Sequence, residues 1–169
     1  MLLVCTSRNQ LDFGQLMEVY LESNSASGAE YYPHLDVNLQ RLEAEQDFYL
    51  FLNEFFYADH GMYFIWVLDG RYKAALRLQP YKDGFLLSGL ETAPDSRKIG
   101  IAKNLMTNVL RYMTSINACK IYSHIHKKNI ASLHTHLSCG FEKLYDYASY
   151  IDGSIDHNCY TYVKNAVPK

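Results

Sequence analysis

The sequence predicts a mixed α/β domain: a largely antiparallel central sheet with helices on both faces. Three observations predict it. The β-prone runs MYFIWVL and RYKAALRL are joined by Asp69-Gly70, and Lys82-Asp83-Gly84 leads on to FLLSGLE, which makes a three-strand antiparallel meander ending near Glu91. Beyond Pro94 the apolar period turns helical, with Ile101, Leu105, Val109, Tyr112 and Ile116 descending one side. From residue 62 the order is then β-β-β-α-β-α-β-β, whose central strands need cover on two sides.

The elements follow in chain order. Residues 2 to 6 form a short opening strand. Leu11 to Leu21 reads as a helix with Leu16, Val19 and Tyr20 on its apolar side, and SNSASGAEYYP closes it as a loop. A second helix, with a break allowed, runs from about Leu35 to Tyr57 on Leu39, Leu42, Phe48, Leu52, Phe55 and Phe56. Ala58-Asp59-His60-Gly61 separates it from the meander. The continuous apolar run Tyr63 to Leu68 predicts cover on both faces, whereas Ala74, Leu76 and Leu78 alternate with Ala75, Arg77 and Gln79. Arg77 therefore lines a polar cleft or stands on a solvated face. KIYSHIH reads as a strand, Ile130 to Ser138 as a helix stopped by Cys139-Gly140, and Phe141 to Ile151 and Cys159 to Lys164 as closing strands around an Asp152-Gly153 turn.

Length and composition narrow the classes of function. The 169 residues suit one domain, and 49% apolar residues with 15 Tyr and 8 Phe describe a packed chain. A net charge of −2 gives no general attraction to nucleic acid or to an anionic membrane. MLLVC lacks the basic and longer apolar regions of a secretory signal, and no apolar run approaches the ~20 residues of a membrane span, so a cytoplasmic protein is expected. Cys5, Cys119, Cys139 and Cys159 form no C-x-x-C pair and read as reduced structural thiols. His124, His126, His134 and His136 tempt a zinc reading, yet i,i+2 histidines on a helix diverge and no cysteine cluster completes a ligand set. No metal is expected.

DSRKIGIAKNL, residues 95 to 105, carries the chemical signal. A helix beginning near Gly100 presents unpaired N–H groups and the positive end of its dipole, a setting suited to phosphate. Gly100 lets an anion approach the backbone, Ala102 adds only a methyl group, and Arg97, Lys98 and Lys103 supply charge. Neither the Walker pattern nor the G-x-G-x-x-G fingerprint is present.

The turn follows LETAP after an antiparallel meander, opens a helix, and leads through a strand to NIASLHTHLSCGF. In this the chain resembles the GNAT superfamily of N-acetyltransferases. Their pyrophosphate pattern, Gln/Arg-x-x-Gly-x-Gly/Ala, is met by Arg97-Lys98-Ile99-Gly100-Ile101-Ala102. Their later pattern resembles Asn129, Ala131, Ser132, Gly140 and Phe141. The likeness covers roughly residues 60 to 150, and the N-terminal helices more loosely. It implies acetyl-CoA as acyl donor, with the backbone around Glu91, Thr92 and Ala93 at the pantetheine or acetyl carbonyl and residues 97 to 103 at the diphosphate. Asn129 and Ser132 would flank the pantetheine, and the acyl group would lie where two parallel strands splay. A homodimer is among the assemblies it implies.

Acetyl transfer to an amine needs a deprotonated nucleophile, stabilisation of a developing oxyanion and a proton for the departing thiolate. Glu91 is the candidate base, directly or through water, against the reading of a structural carboxylate. Many members of the superfamily place a tyrosine four residues before the Gly-Phe pair as general acid; here that position is His136, a candidate acid, a binding residue or a structural one. Alternation sets Tyr145 and Tyr147 on one strand face and Tyr150 on the other, as packing or acceptor-pocket rings. His124 or His126 is a candidate acceptor-facing residue, and Tyr31, Tyr32 and Phe48 to Tyr57 are candidate acceptor walls or core. The function expected is acetyl transfer from acetyl-CoA to an amine of a small molecule, amino acid or peptide. The alternative is a noncatalytic acyl-CoA-binding or regulatory protein of the same fold.

Overall fold

The chain runs β1 (Leu2–Cys5), α1 (Phe13–Val19), α2 (Leu21–Tyr31), α3 (Val37–Tyr57), β2 (Met62–Leu68), β3 (Arg71–Tyr81), β4 (Gly84–Thr92), α4 (Ile101–Ser115), β5 (Lys120–His126), α5 (Ile130–Ser138), β6 (Glu142–Tyr145), β7 (Ala148–Ser149), β8 (Ile155–Asp156) and β9 (Cys159–Asn165). The computed structural model describes residues 1–58, 60–118 and 120–165; Asp59, Cys119 and the last four residues lie outside them. Seven strands form one sheet in the order β1-β2-β3-β4-β5-β9-β6, and β7 and β8 pair separately. Every neighbouring pair is antiparallel except β4 with β5.

Alternation along the strands divides the core between the sheet's faces. Leu76, Leu78, Leu87, Ile121 and Ile125 meet α4 through Ile101, Leu105, Met106, Val109 and Met113. On the opposite face Tyr63, Ile65 and Ala75 meet α1 and α3 through Leu16, Val19, Leu52 and Phe55. Helices therefore cover both faces, as the sequence predicts. Cys5, Cys139 and Cys159 are free thiols, and burial pushes the Cys5 thiol up to about 11. The expected thiol at Cys119 and the Asp59 part of the predicted turn fall outside the described residues. No described helix is long and apolar enough to cross a membrane.

Three elements differ from the sequence reading. SNSASGAEYYP is not a loop: it lies mostly in α2, and Tyr20 (φ −92°, ψ 15°) is the joint between α1 and α2. Packing explains the change. A β-carbon at Gly28 would stand 2.3 Å from the Gln40 carbonyl, so the small residues let α2 approach α3 closely. Ser23 and Ser25 return their hydroxyls to the carbonyls of Tyr20 and Leu21. Secondly, α3 is unbroken over 21 residues, started by Asp36, whose side chain accepts from the amides of Asn38 and Leu39. Thirdly, Phe141 to Ile151 divides into β6 and β7, with Tyr145 and Tyr147 stacked at 5.3 Å and Tyr150 packed elsewhere, against His124. A smaller change is at Ile116, which caps α4 and is exposed instead of extending its buried stripe.

Candidate active site

The ladder between β4 and β5 stops early. It pairs Phe85 with Ile121, Leu86 with Tyr122 and Leu87 with Ser123, whereas β4 continues to Thr92 and β5 to His126. The strands part there around a cavity of about 210 Å³ lined from β4 by Leu87 to Glu91, from β5 by Ser123 to His126, and from the α5 side by Asn129, Ser132 and His136.

A bulge in β4 shapes one wall. Ala75 pairs with Glu91 and Arg77 with Ser88, so β4 has one residue more than β3 between these pairs. Gly89 takes the left-handed conformation this needs, φ +59°, and a β-carbon on it would meet the Arg77 guanidinium and the Tyr20 hydroxyl at 3.2 Å. Those groups hold the bulge. The Tyr20 hydroxyl donates to the Gly89 carbonyl at 2.5 Å, and Arg77 donates from Nε to Ser88 Oγ at 3.1 Å and from Nη1 to the Tyr63 hydroxyl at 3.3 Å. The Phe51 ring lies 4.6 Å from the guanidinium carbon. Arg77 is thus half-buried on the α1–α3 face, neither on a solvated one nor lining the cavity. The sequence reading had Tyr20 and Tyr63 only as apolar packing residues and gave Ser88 and Gly89 no part at the site. A glycine inside FLLSGLE was the available sign of a bulge.

A larger cleft of about 480 Å³ adjoins the cavity and shares Leu90, Glu91, Asn129 and Ser132 with it. Of the residues expected at the cofactor, Glu91, Thr92, Arg97, Lys98, Gly100, Ile101, Ala102, Lys103, Asn129 and Ser132 line this cleft. The Ala93 side chain packs into the α1–α3 core, which leaves its backbone as the part that can meet a ligand, and Ile99 is exposed outside the lining. Gly100 is the N-cap of α4 at φ +84°, and a β-carbon built there meets nothing within 4 Å. The first amides of α4 therefore face an unobstructed approach. Asn129 Oδ1 accepts from the Ser132 amide at 3.1 Å as the N-cap of α5, which leaves Nδ2 to serve a ligand. Arg97 donates to the Thr92 carbonyl at 3.2 Å and pairs with Glu22 of α2 at 2.6 Å. Its guanidinium thus joins the cleft to α2, a link the sequence did not reveal.

Glu91 shares the sheet face of Ala75 and Ala93. Burial raises its carboxyl above the ordinary range, against the neighbouring Ser23 hydroxyl and the charge of Arg97; the nearby Glu22 adds to the rise. His136 is buried on α5 and packs edge-on against Phe141. Its Nδ1 lies 2.8 Å from the Ser132 carbonyl, an acceptor, so Nδ1 carries the proton. Burial lowers its pKa, and Nε2 has no partner among the described residues. The neutral ring offers a lone pair at Nε2.

The residues that line the cleft and cavity all fall within a segment shared with a known family. The Acetyltransferase (GNAT) family model matches residues 20–141. The chain belongs to the GNAT family. It is an acetyltransferase, and acetyl-CoA is the donor that its family uses. Similar solved structures include the aminoglycoside 6'-acetyltransferase type Ii, 14% identical, with 100% of this chain and 99% of that one covered and a TM-score of 0.69. The PaiA N-acetyltransferase of Thermoplasma acidophilum in complex with coenzyme A is 17% identical over 98% of this chain and 99% of that one, TM-score 0.67. The ribosomal-protein-alanine N-acetyltransferase of Brucella melitensis is 18% identical over 96% and 99%, TM-score 0.65. At these identities the likeness is one of fold. No curated protein sequence matches the chain.

For this GNAT enzyme the donor set fits CoA. Open space at Gly100, free amides at the start of α4 and the basic side chains of Lys98 and Lys103 suit a diphosphate, and Asn129 and Ser132 flank the route onward to the cavity.

Proposed function

We propose that this acetyltransferase transfers an acetyl group from acetyl-CoA to an amine of a small molecule, amino acid or peptide by direct attack. The single observation that supports it most is the gap beyond Leu87 and Ser123, which joins a basic, amide-lined cleft to a cavity bearing Glu91. Bound acetyl-CoA supplies an acyl group already activated as a thioester. Residues 97 to 103 hold the diphosphate, and Asn129 and Ser132 direct the pantetheine toward the gap. The extra residue of the β4 bulge frees backbone groups near Gly89 to Glu91, donors for an oxygen that gains charge. Glu91 takes the amine proton, directly or through water, as nitrogen bonds to the acetyl carbon; the carbon–sulfur bond breaks, and the CoA thiolate leaves and takes its proton from solvent water. His136, neutral and with Nδ1–H committed to Ser132, accepts a hydrogen bond from the CoA arm at Nε2; donating a proton to the thiolate would first require protonating it against its lowered pKa. The reading includes one domain over residues 1–169 and a cytoplasmic setting, supported by free Cys5, Cys139 and Cys159.

The test is acetyl-CoA turnover, followed as free thiol, across butylamine, an aminoglycoside and a peptide with N-terminal alanine. The last two follow the amines named for the similar structures. Turnover with any of them supports the reading, whereas CoA binding without turnover supports the noncatalytic alternative.

Glu91→Gln is expected to lower kcat/KM for the amine by about 100-fold while changing CoA affinity by about twofold or less. In the unsubstituted enzyme the acid limb should lie above the ordinary carboxylate range, because the active carboxylate forms only as pH rises through a raised pKa. The stability sign is opposite. A folded pKa above the unfolded one means that stability falls as pH rises from the ordinary carboxylate range through the raised value, and Glu91→Gln relieves that loss. A pH–rate profile and a pH series of denaturation midpoints check both.

A further inference from the structure

His124 is a half-buried titratable side chain to which this chemistry gives no task. It follows Tyr122 by two residues on β5 and so lies on the sheet face away from α4, the face that also carries Glu91. It lines the gap between the parted strands. The ring stands edge-on between Tyr81 of β3 and Tyr150, with centroids 5.6 and 5.1 Å away and planes crossed at 88° and 82°. Both ring nitrogens are buried, and among the described residues no protein group hydrogen-bonds either one. A polar atom so placed is uncommon in a folded protein, and the ring contacts on either side do not replace its bonds.

The surroundings define what the ring can receive. Lys82 faces it from the turn between β3 and β4 and Asp156 from β8; Tyr81 and Tyr150 flank it, and Glu91 and His126 line the same gap. Burial, then Lys82, holds the imidazole below its ordinary pKa, with Asp156 opposing. At neutral pH one ring nitrogen therefore carries a lone pair. The cleft suited to CoA opens beside the N-terminal ends of α4 and α5, with α4 packed on the other face, and meets the gap at Leu90, Glu91, Asn129 and Ser132.

We propose that His124 is the binding residue for the acceptor amine, taking an N–H of a primary amine that enters the β4–β5 gap from the Tyr81 and Tyr150 side. The inference rests on the acetyl-transfer reading for what happens next, but not for the binding itself. Protonation removes the lone pair, so amine binding weakens as pH falls through the lowered pKa of His124 and is retained above it.

Binding is tested on the full chain with ¹⁵N-labelled histidine, saturated with CoA so that no acetyl group can move, by adding 2-phenylethylamine, a primary amine with a ring to match the flanking tyrosines. The ring-nitrogen resonances of His124, assigned by their loss in His124→Phe, should shift while those of exposed His34 and His134 stay in place. In turnover with the best amine of the panel, His124→Phe should keep CoA affinity and raise the amine KM about tenfold or more. His124→Gln, which keeps an acceptor but does not titrate, should recover part of that loss and flatten the acid limb. Unmoved His124 resonances, or an unchanged KM and pH profile in His124→Phe, overturn the inference even where the parent enzyme turns over. Moved resonances in a protein that acetylates none of the panel support the binding role and remove the acetyl-transfer reading instead.

Discussion

Gly100→Val is expected to abolish CoA binding while leaving the protein folded. Gly100 caps α4 at φ +84°, where a β-branched residue is strained by about 1–2 kcal/mol. That strain alone is absorbed by a domain of this size. The added side chain has no protein neighbour to displace, because a β-carbon there meets nothing within 4 Å; the space it fills is the approach to the first amides of α4. A rise in Kd for CoA of about 100-fold or more is expected, roughly 2.7 kcal/mol. Titration calorimetry reads the affinity and circular dichroism the fold. Gly70→Val is the control: Gly70, at φ +72° in the β2–β3 turn, is equally open and equally strained but remote from the cleft, and should lower stability without altering CoA affinity. Equal affinity in Gly100→Val would remove the α4 start as the diphosphate site.

Arg77→Met should be the most damaging single change behind the site. The substitution keeps an apolar stem against Phe51 but withdraws the donors to Ser88 and Tyr63, leaving the Tyr20 hydroxyl as the remaining brace of the bulge. Loss of about 3 kcal/mol in stability is expected, measured by chemical denaturation. Turnover should fall by about 100-fold at temperatures where the variant is folded, because a bulge displaced by even a fraction of an ångström misaims the backbone groups of Gly89 to Glu91. Arg77→Lys should not restore it, since one ammonium cannot supply the guanidinium's spaced donors to Ser88 and Tyr63. Arg71→Met, at an exposed end of the same strand, should be close to neutral. Full turnover in Arg77→Met would show that the bulge needs no support from β3.

What could be read in advance had a local cause. Asp69-Gly70 and Lys82-Asp83-Gly84 carry their turn chemistry in adjacent residues, and the apolar stripe Ile101, Leu105 and Val109 repeats within one helix. The helix start at Gly100 was equally legible, because a glycine before the apolar stripe and its basic neighbours all lie within residues 97 to 103. The residues Ser23 to Gly28 were misread because their loop-like composition is overruled by α3, which only the folded chain brings against them.

By itself, the sequence determined the alternation of strands and helices, the glycine-led helix start proposed for the diphosphate, and the family to which those features belong. The tertiary structure decided where β4 and β5 part, that Arg77, Tyr20 and Tyr63 brace the bulge, that Arg97 reaches Glu22, and that the nitrogens of His124 are left unpaired in the gap. The division has a physical reason. Turns, caps and helical periods arise among residues a few positions apart, whereas the burial, pairing and protonation of a side chain depend on groups that are far away in the chain and meet only when the sheet closes between its two layers of helices.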